Sequence, residues 1–318
     1  MGVLIGVLLA VLALTLVSGG YVFTLACIRR KDLPWFDEVA LKKTSYGKYY
    51  QAILASDTWL KEHNARDVYV RSYDGLKLHG LWIPVKDPKG TVLLAHGYRS
   101  TMLVDFGLAF AYYHTLGMNI LVPQQRSHGE SEGRYITFGV KECRDMLQWI
   151  KYHNENFGPQ QLVLSGLSMG ASTVLYMADM ELPSNVKGII ADCGFTSPKA
   201  ILDKVFRSVT HLPSGPALWA ADLFARVFAG FALDEKDTRR VLSRAKLPVL
   251  LIHGTDDDFV PCYMTQQGFE ACTSQKNLLL VEGAGHGTSF LFDKQSYMEK
   301  ILEFLTRNLN GFDSDNLQ

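Results

Sequence analysis

Residues 162–172 read Leu162-Val163-Leu164-Ser165-Gly166-Leu167-Ser168-Met169-Gly170-Ala171-Ser172. The short apolar run has the length and composition of a buried strand, and the small residues from Ala171 onward suit the opening of a helix. Between them sits Gly166-x-Ser168-x-Gly170. A tight strand-to-helix turn forces such a serine into a strained backbone conformation with its Oγ exposed. A Cβ at either flanking glycine would collide with the neighbouring strand or helix. The five-residue pattern recurs by chance in many chains. It gains meaning when an acid, a base and oxyanion donors accompany it in a consistent order.

Working outward, the flanking segments read as alternating strands and helices. Upstream, Val68 and Val70, then Leu76, Leu78 and Trp82, alternate about the turn Tyr73-Asp74-Gly75, which predicts an antiparallel hairpin. Thr91–Ala95 is a continuous apolar run typical of a central parallel strand. Further strands are predicted at Met118–Val122, Gln161–Leu164, Val186–Ala191, Val249–Ile252 and Asn277–Val281. Helices are predicted at Val140–Asn156, Met169–Met180 and Phe292–Asn308. This is the signature of an α/β protein with a doubly wound, mostly parallel sheet and helices on both faces. A stretch of about fifty residues between Asp192 and Leu247 breaks the rhythm. It carries Leu202, Val205, Phe206, Trp219, Leu223, Phe224, Val227 and Phe228 at helical spacing, with a Pro213-Ser214-Gly215-Pro216 hinge. An insertion at the carboxyl end of a parallel strand lies over the ligand-binding edge, so a helical cap is expected over residues 195–245.

The N-terminus has a different composition. From Gly2 to Ile28 no side chain is charged, and Arg29-Arg30-Lys31 follows at once. As a helix this stretch is about 40 Å long, enough to cross a hydrocarbon core of ~30 Å. Without a basic n-region, and with apolar residues continuing past Ser18-Gly19-Gly20, it reads as an uncleaved single-pass anchor over residues 1–30. The alternative is a secreted protein or a lipoprotein after processing, because Thr24-Leu25-Ala26-Cys27 faintly resembles a lipoprotein box. The basic cluster favours a cytoplasmic catalytic domain. Residues 31–65, with Trp35, Phe36, Tyr46, Tyr49, Tyr50 and Trp59, read as a juxtamembrane segment. Its amphipathic helix, roughly Tyr46 to Glu62, packs on the domain or lies at the membrane surface. The main domain is expected over residues 66–310, and 311–318 as a disordered tail. Thirty-two basic and 32 acidic residues leave no basic footprint, which argues against a nucleic-acid partner. Five cysteines without C-x-x-C spacing outline no disulfide framework.

Chemistry is expected where parallel strands end. Ala95-His96-Gly97-Tyr98 lets the backbone turn, so that the Tyr98 N–H joins that of Met169 as an oxyanion donor, while His96 shapes the turn. The loop Pro123-Gln124-Gln125-Arg126-Ser127-His128-Gly129-Glu130 brings His128 as a competing base, but no acid accompanies it in a suitable order. Three consecutive acids, Asp256, Asp257 and Asp258, follow the strand ending in Ile252-His253-Gly254. His286 sits in Gly283-Ala284-Gly285-His286-Gly287, where glycines let an imidazole approach another loop. The order serine, then acid, then histidine matches neither chymotrypsin nor subtilisin.

These blocks together resemble the α/β-hydrolase superfamily of serine hydrolases. The likeness is closest to membrane-anchored bacterial members with HGY, QRSHGxSEG, GLSMG, HGxxDxxVP and GxGH blocks, over roughly residues 66–308. The resemblance implies the α/β-hydrolase fold and selects Asp257 among the three acids, because His253-Gly254 and Val260-Pro261 bracket it. Asp192 is the less apt alternative. Gln124 stands where the superfamily commonly has Asp, away from the expected triad. Ser168, Asp257 and His286 would then be nucleophile, orienting acid and base, with no metal or organic cofactor. The expected substrate is a small-molecule carboxylic ester, lipid-derived in view of the anchor and the apolar cap. The alternatives are a serine peptidase of the prolyl-oligopeptidase type and a non-catalytic binding protein on the same fold.

Overall fold

Uninterrupted aliphatic runs build the centre of the sheet. In the structure, a computed structural model describing residues 1–30, 42 and 46–312, the strands are β1 (Arg66–Arg71), β2 (Lys77–Ile83), β3 (Gly90–Ala95), β4 (Met118–Pro123), β5 (Leu162–Leu167), β6 (Val186–Asp192), β7 (Val249–Gly254) and β8 (Lys276–Val281). They form one eight-stranded sheet in the order β1-β2-β4-β3-β5-β6-β7-β8. The hairpin β1–β2 and the pair β2–β4 are antiparallel, and every other pairing is parallel. All residues of β3, β4, β5 and β7 are buried, as strands covered on both faces must be. The α/β-hydrolase fold expected from the sequence is the fold observed.

Period-two alternation divides the core. Leu93, Leu121, Leu164 and Leu251 face one layer, with Met146 and Trp149 of a helix at Glu142–Phe157. Val92, Ile120, Val163 and Leu250 face the other, with Phe110 of a helix at Met102–Thr115 and Phe304 of one at Lys294–Asn308. In chain order the α-helices are α1 (Gly2–Cys27), α2 (Tyr50–Glu62), α3 (Met102–Thr115), α4 (Glu142–Phe157), α5 (Met169–Leu175), α6 (Pro198–Thr210), α7 (Gly215–Phe224), α8 (Thr238–Leu242), α9 (Tyr263–Ala271), α10 (Ser289–Phe292) and α11 (Lys294–Asn308). A π-helical turn, Ala225–Ala229, continues α7.

Several boundaries differ from expectation. α5 stops at Leu175 instead of Met180, because the next residues close tighter turns, with Met177 N–H donating to Val174 O and Ala178 N–H to Leu175 O. Phe292 ends the separate turn α10, and α11 starts two residues later, capped by the Asp293 carboxylate on Ser296 N at 3.0 Å. α3 was not anticipated, since a segment as apolar as Met102–Thr115 shows little polar face. Phe312 is buried in the core, so the chain stays ordered two residues past Asn310; the rest of the expected tail, like Trp35 and Phe36, lies outside the described residues.

α1 is long and apolar enough to cross a membrane by length and composition. Its residues 2–14 are exposed throughout, whereas Gly19, Phe23, Ala26 and Cys27 are buried against the domain. α2 packs on α3, where Ser56 meets Gly107, so this segment rests on the protein. Above the carboxyl edge of the sheet, a third apolar cluster joins Phe23, Phe138, Met169, Phe195, Leu218 and Val260. It links α1 and the 195–245 insertion to the residue after Ser168.

Candidate active site

β5 delivers Ser168 through a turn that only two glycines permit. Ser168 has φ 55° and ψ −115°, a left-handed strain for a residue with a Cβ. A Cβ on Gly166 would sit 2.2 Å from Gly170 O, and one on Gly170 would sit 1.8 Å from Ala95 O. Helix α5 and strand β3 therefore press against the turn from both sides, and the serine side chain is directed out of it.

The loops after β7 and β8 meet at this turn. Ser168 Oγ lies 2.9 Å from His286 Nε2, and His286 Nδ1 lies 2.7 Å from Asp257 Oδ2. The other Asp257 oxygen accepts the N–H groups of Phe259 (3.0 Å) and Val260 (2.8 Å). His253 Nε2 donates to Val260 O at 2.8 Å and lies 3.1 Å from Asp257 Oδ2, while its Nδ1 is held by Thr265 Oγ1. Burial alone would raise the Asp257 carboxyl, but hydrogen bonds from His253 and His286 outweigh it and hold the group well below the usual carboxylate range. Asp256 and Asp258 are exposed, and the main-chain oxygen of Asp258 is engaged by Lys204. Asp192 makes no hydrogen bond to His286 among the described residues; it accepts Ser289 Oγ at 3.2 Å and leaves Oδ2 without a partner.

The strand end at 95–98 closes the other side. Gly97 packs beside Ser168, with its N–H taken by Asp105 Oδ2 at 2.6 Å. Asp105 also accepts Ser100 Oγ, and burial pushes its carboxyl up to about 6. With Gly97 N–H engaged, the next amide, Tyr98 N–H, donates in no hydrogen bond among the described residues. Met169 is the first residue of α5, so its N–H has no intrahelical acceptor. The Tyr98 side chain turns away, its hydroxyl donating to Ala26 O of α1 at 2.8 Å.

The remaining sequence candidates serve the scaffold. His96 Nδ1 donates to Gly97 O, and its Nε2 accepts Gln125 N–H at 2.9 Å. His128 Nε2 accepts Arg99 N–H at 3.0 Å, and burial lowers its pKa to about 4, so it is neutral and structural. Gln124 Oε1 accepts from His79 and from Glu130 N–H, filling the space under Gly129. Two supports went unread in the sequence: Asp105, and Tyr46, whose hydroxyl donates to Gly287 O at 2.9 Å beside His286. Neither lies in a motif block; only folding brings them there. Among the described residues, Cys193, Asp257 and His286 could share an ion, their donor atoms lying within 4.8 Å of one another. Burial raises the Cys193 thiol well above its ordinary value, which disfavours the thiolate a metal needs, and His286 Nδ1 is already taken by Asp257.

Residues 92–300 match the alpha/beta hydrolase family. The chain belongs to that family. This hydrolase is 30% identical over 238 residues to the YqkD protein of Bacillus subtilis (strain 168), across 74% of this chain and 77% of that one. Its fold is similar to that of the Pyrococcus furiosus esterase Pf2001, with a TM-score of 0.64 and 23% identity over 79% of this chain and 96% of the esterase. It is also similar to an acylaminoacyl peptidase from Pyrococcus horikoshii, with a TM-score of 0.56 and 19% identity over 80% of this chain and 43% of the peptidase.

Proposed function

We propose that this hydrolase cleaves carboxylic esters through an acyl-enzyme on Ser168, with α1 as its membrane anchor. The observation that carries the reading is the continuous chain from Ser168 Oγ through His286 to Asp257, at 2.9 and 2.7 Å. In this reading His286 Nε2 takes the serine proton as Oγ attacks the acyl carbonyl carbon. Asp257 fixes the imidazole tautomer and stabilises the imidazolium that forms. The N–H groups of Tyr98 and Met169 receive the oxyanion; His286 returns the proton to the leaving alkoxide, and water releases the acyl group by the reverse sequence. The insertion at 195–245 is the cap over this site, and its apolar lining with Met169 and Phe195 favours an acyl chain over a charged substrate. Uncleaved α1 is favoured because Phe23, Ala26 and Cys27 are buried in the same cluster.

The test uses the full chain in detergent. A fluorophosphonate probe should label the wild type and fail on Ser168→Ala, and persistent stoichiometric labelling of the variant would sink the assignment. p-Nitrophenyl esters of increasing chain length should turn over, and aminoacyl p-nitroanilides should not. The opposite preference would make the chain a peptidase, and inertness toward both would leave a binding protein.

A further inference from the structure

The way α1 docks fixes how deep the domain sits. Only residues 2–14 of α1 are free of the domain, about 20 Å of helix, whereas a hydrocarbon core is about 30 Å thick. The missing length has to come from the turns that lie beside α7. Gly19 packs on Ala220, Gly20 on Phe224, and Phe23 stacks with Phe224 and sits 6.2 Å from the Phe228 ring. Both helices thus run in the same direction, and the corner before α7 projects toward the N-terminal end of α1.

What α7 turns outward is apolar. Trp219, Leu223 and Val227 are spaced by four residues along one exposed stripe, and Phe228 flanks it. Leu212, at the corner, is 61% exposed, and Val209 of α6 is 74% exposed. The stripe lies on the helix that packs against α1, and Val17 and Tyr21 of α1 are themselves exposed. Gly19 packs on Ala220, the neighbour of Trp219, and Tyr21 lies two residues further along α1, so a hydrocarbon–headgroup boundary at Tyr21 passes within about one helical turn of Trp219. A boundary there leaves residues 2–20 of α1, about 28 Å, to cross the core. The single acid of α7, Asp222, is ion-paired with Arg226 at 2.7 Å.

We propose that α7, the corner before it and the π-helical turn are seated in the bilayer surface beside α1, so that the acyl chain of the substrate enters the cap from the lipid phase. The packing of α7 on the anchor α1 selects lipid as the occupant of this face. The inner side of α7 offers the route: Leu218 and Ala221 belong to the cluster that contains Met169. The substrate part of the proposal rests on the ester-hydrolase reading of Ser168, and the seating rests on the reading of α1 as the membrane anchor.

The full chain is reconstituted in phosphatidylcholine vesicles carrying bromines near the headgroups or near the chain ends. The Trp219 emission is taken as the difference between wild type and Trp219→Phe. With shallow bromines that component should lose about half its intensity, and less with deep ones. No quenching, or a Trp219 face protected by cross-linkable contact with a second copy, overturns the seating. Leu212→Asp and Val227→Asp should each lower hydrolysis of a vesicle-borne long-chain ester about tenfold more than that of soluble p-nitrophenyl acetate. An unchanged ratio in the presence of quenching overturns lipid-phase entry. Loss of the ester-hydrolase reading would show separately, as hydrolysis surviving in Ser168→Ala, and would leave the quenching result intact.

Discussion

Ser168 is held by what its neighbours lack. Gly170 has Ala95 O where a Cβ would be, at 1.8 Å, so the strand and the helix cannot both stay in place around a methyl group. Gly170→Ala should cost about 3 kcal/mol or more, read by denaturant unfolding. Gly285, whose added Cβ would meet nothing nearer than Thr288 Oγ1 at 3.9 Å, should tolerate alanine; equal losses at the two positions would contradict the packing. These glycines were legible in the sequence because the steric rule is local. Asp257 was not legible from spacing alone, since three adjacent acids look alike until the fold buries one and exposes its neighbours. Asp192 offers a second residue-level test. Burial pushes its carboxyl up to about 6, above its unfolded value near 3.9, and Oδ2 has no hydrogen-bond partner among the described residues. The folded state therefore binds this proton more tightly. The resulting stabilisation is present below about pH 4 and is lost as pH rises through 6, about 3 kcal/mol in all. Asp192→Asn should flatten the fall in unfolding free energy between pH 4.5 and 7.5, while Asp105, raised with the same sign, keeps part of it. An unchanged slope would remove Asp192 from the account.

At the scale of elements, the strands were legible because aliphatic runs of five or six residues bounded by Gly, Pro and Asn admit few other readings. Helix α1 was legible as an apolar span, but its docking was not. Phe23, Ala26 and Cys27 carry the same apolar signal whether they face lipid or protein, and only the small pairs reveal contact. Gly19 lies so close to Ala220 that an added Cβ would come within 2.3 Å of the Ala220 Cβ. Gly19→Leu should thus wedge α1 from α7 and open the buried end of the helix. Cys27, 1% exposed in the wild type, should then react with a maleimide at least about tenfold faster, scored by mass spectrometry against Cys262 in the same chain. An unaltered Cys27 rate would mean that the two helices do not depend on this contact.

For the whole molecule, topology gathers the site: β5, β7 and β8 are parallel, so the loops that follow them share one edge, and chain order alone pointed to Ser168 and His286. What chain order could not reveal is that the apolar N-terminal helix is exposed over residues 2–14 but packed into the domain at Gly19, Phe23, Ala26 and Cys27. Ile28 bridges Tyr135, Arg29 N–H donates to Arg134 O, and the Arg29 guanidinium donates to Ser131 O and Gly129 O. Arg99 in turn donates to Leu25 O and Ile28 O, tying the last turn of α1 to the loop that carries Tyr98. Two deletions separate these parts. Removing residues 1–14 strips only exposed helix and should leave the unfolding free energy within about 1 kcal/mol of the full chain, both in the same detergent. Removing residues 1–30 takes away the burial of Phe23 and the Arg29 hydrogen bonds, and should cost about 4 kcal/mol. It should also lower turnover of soluble esters, because the Tyr98 loop loses its brace at Ala26 O. Equal stability of the two truncated chains would show that the end of α1 is a passenger on the domain instead of part of it.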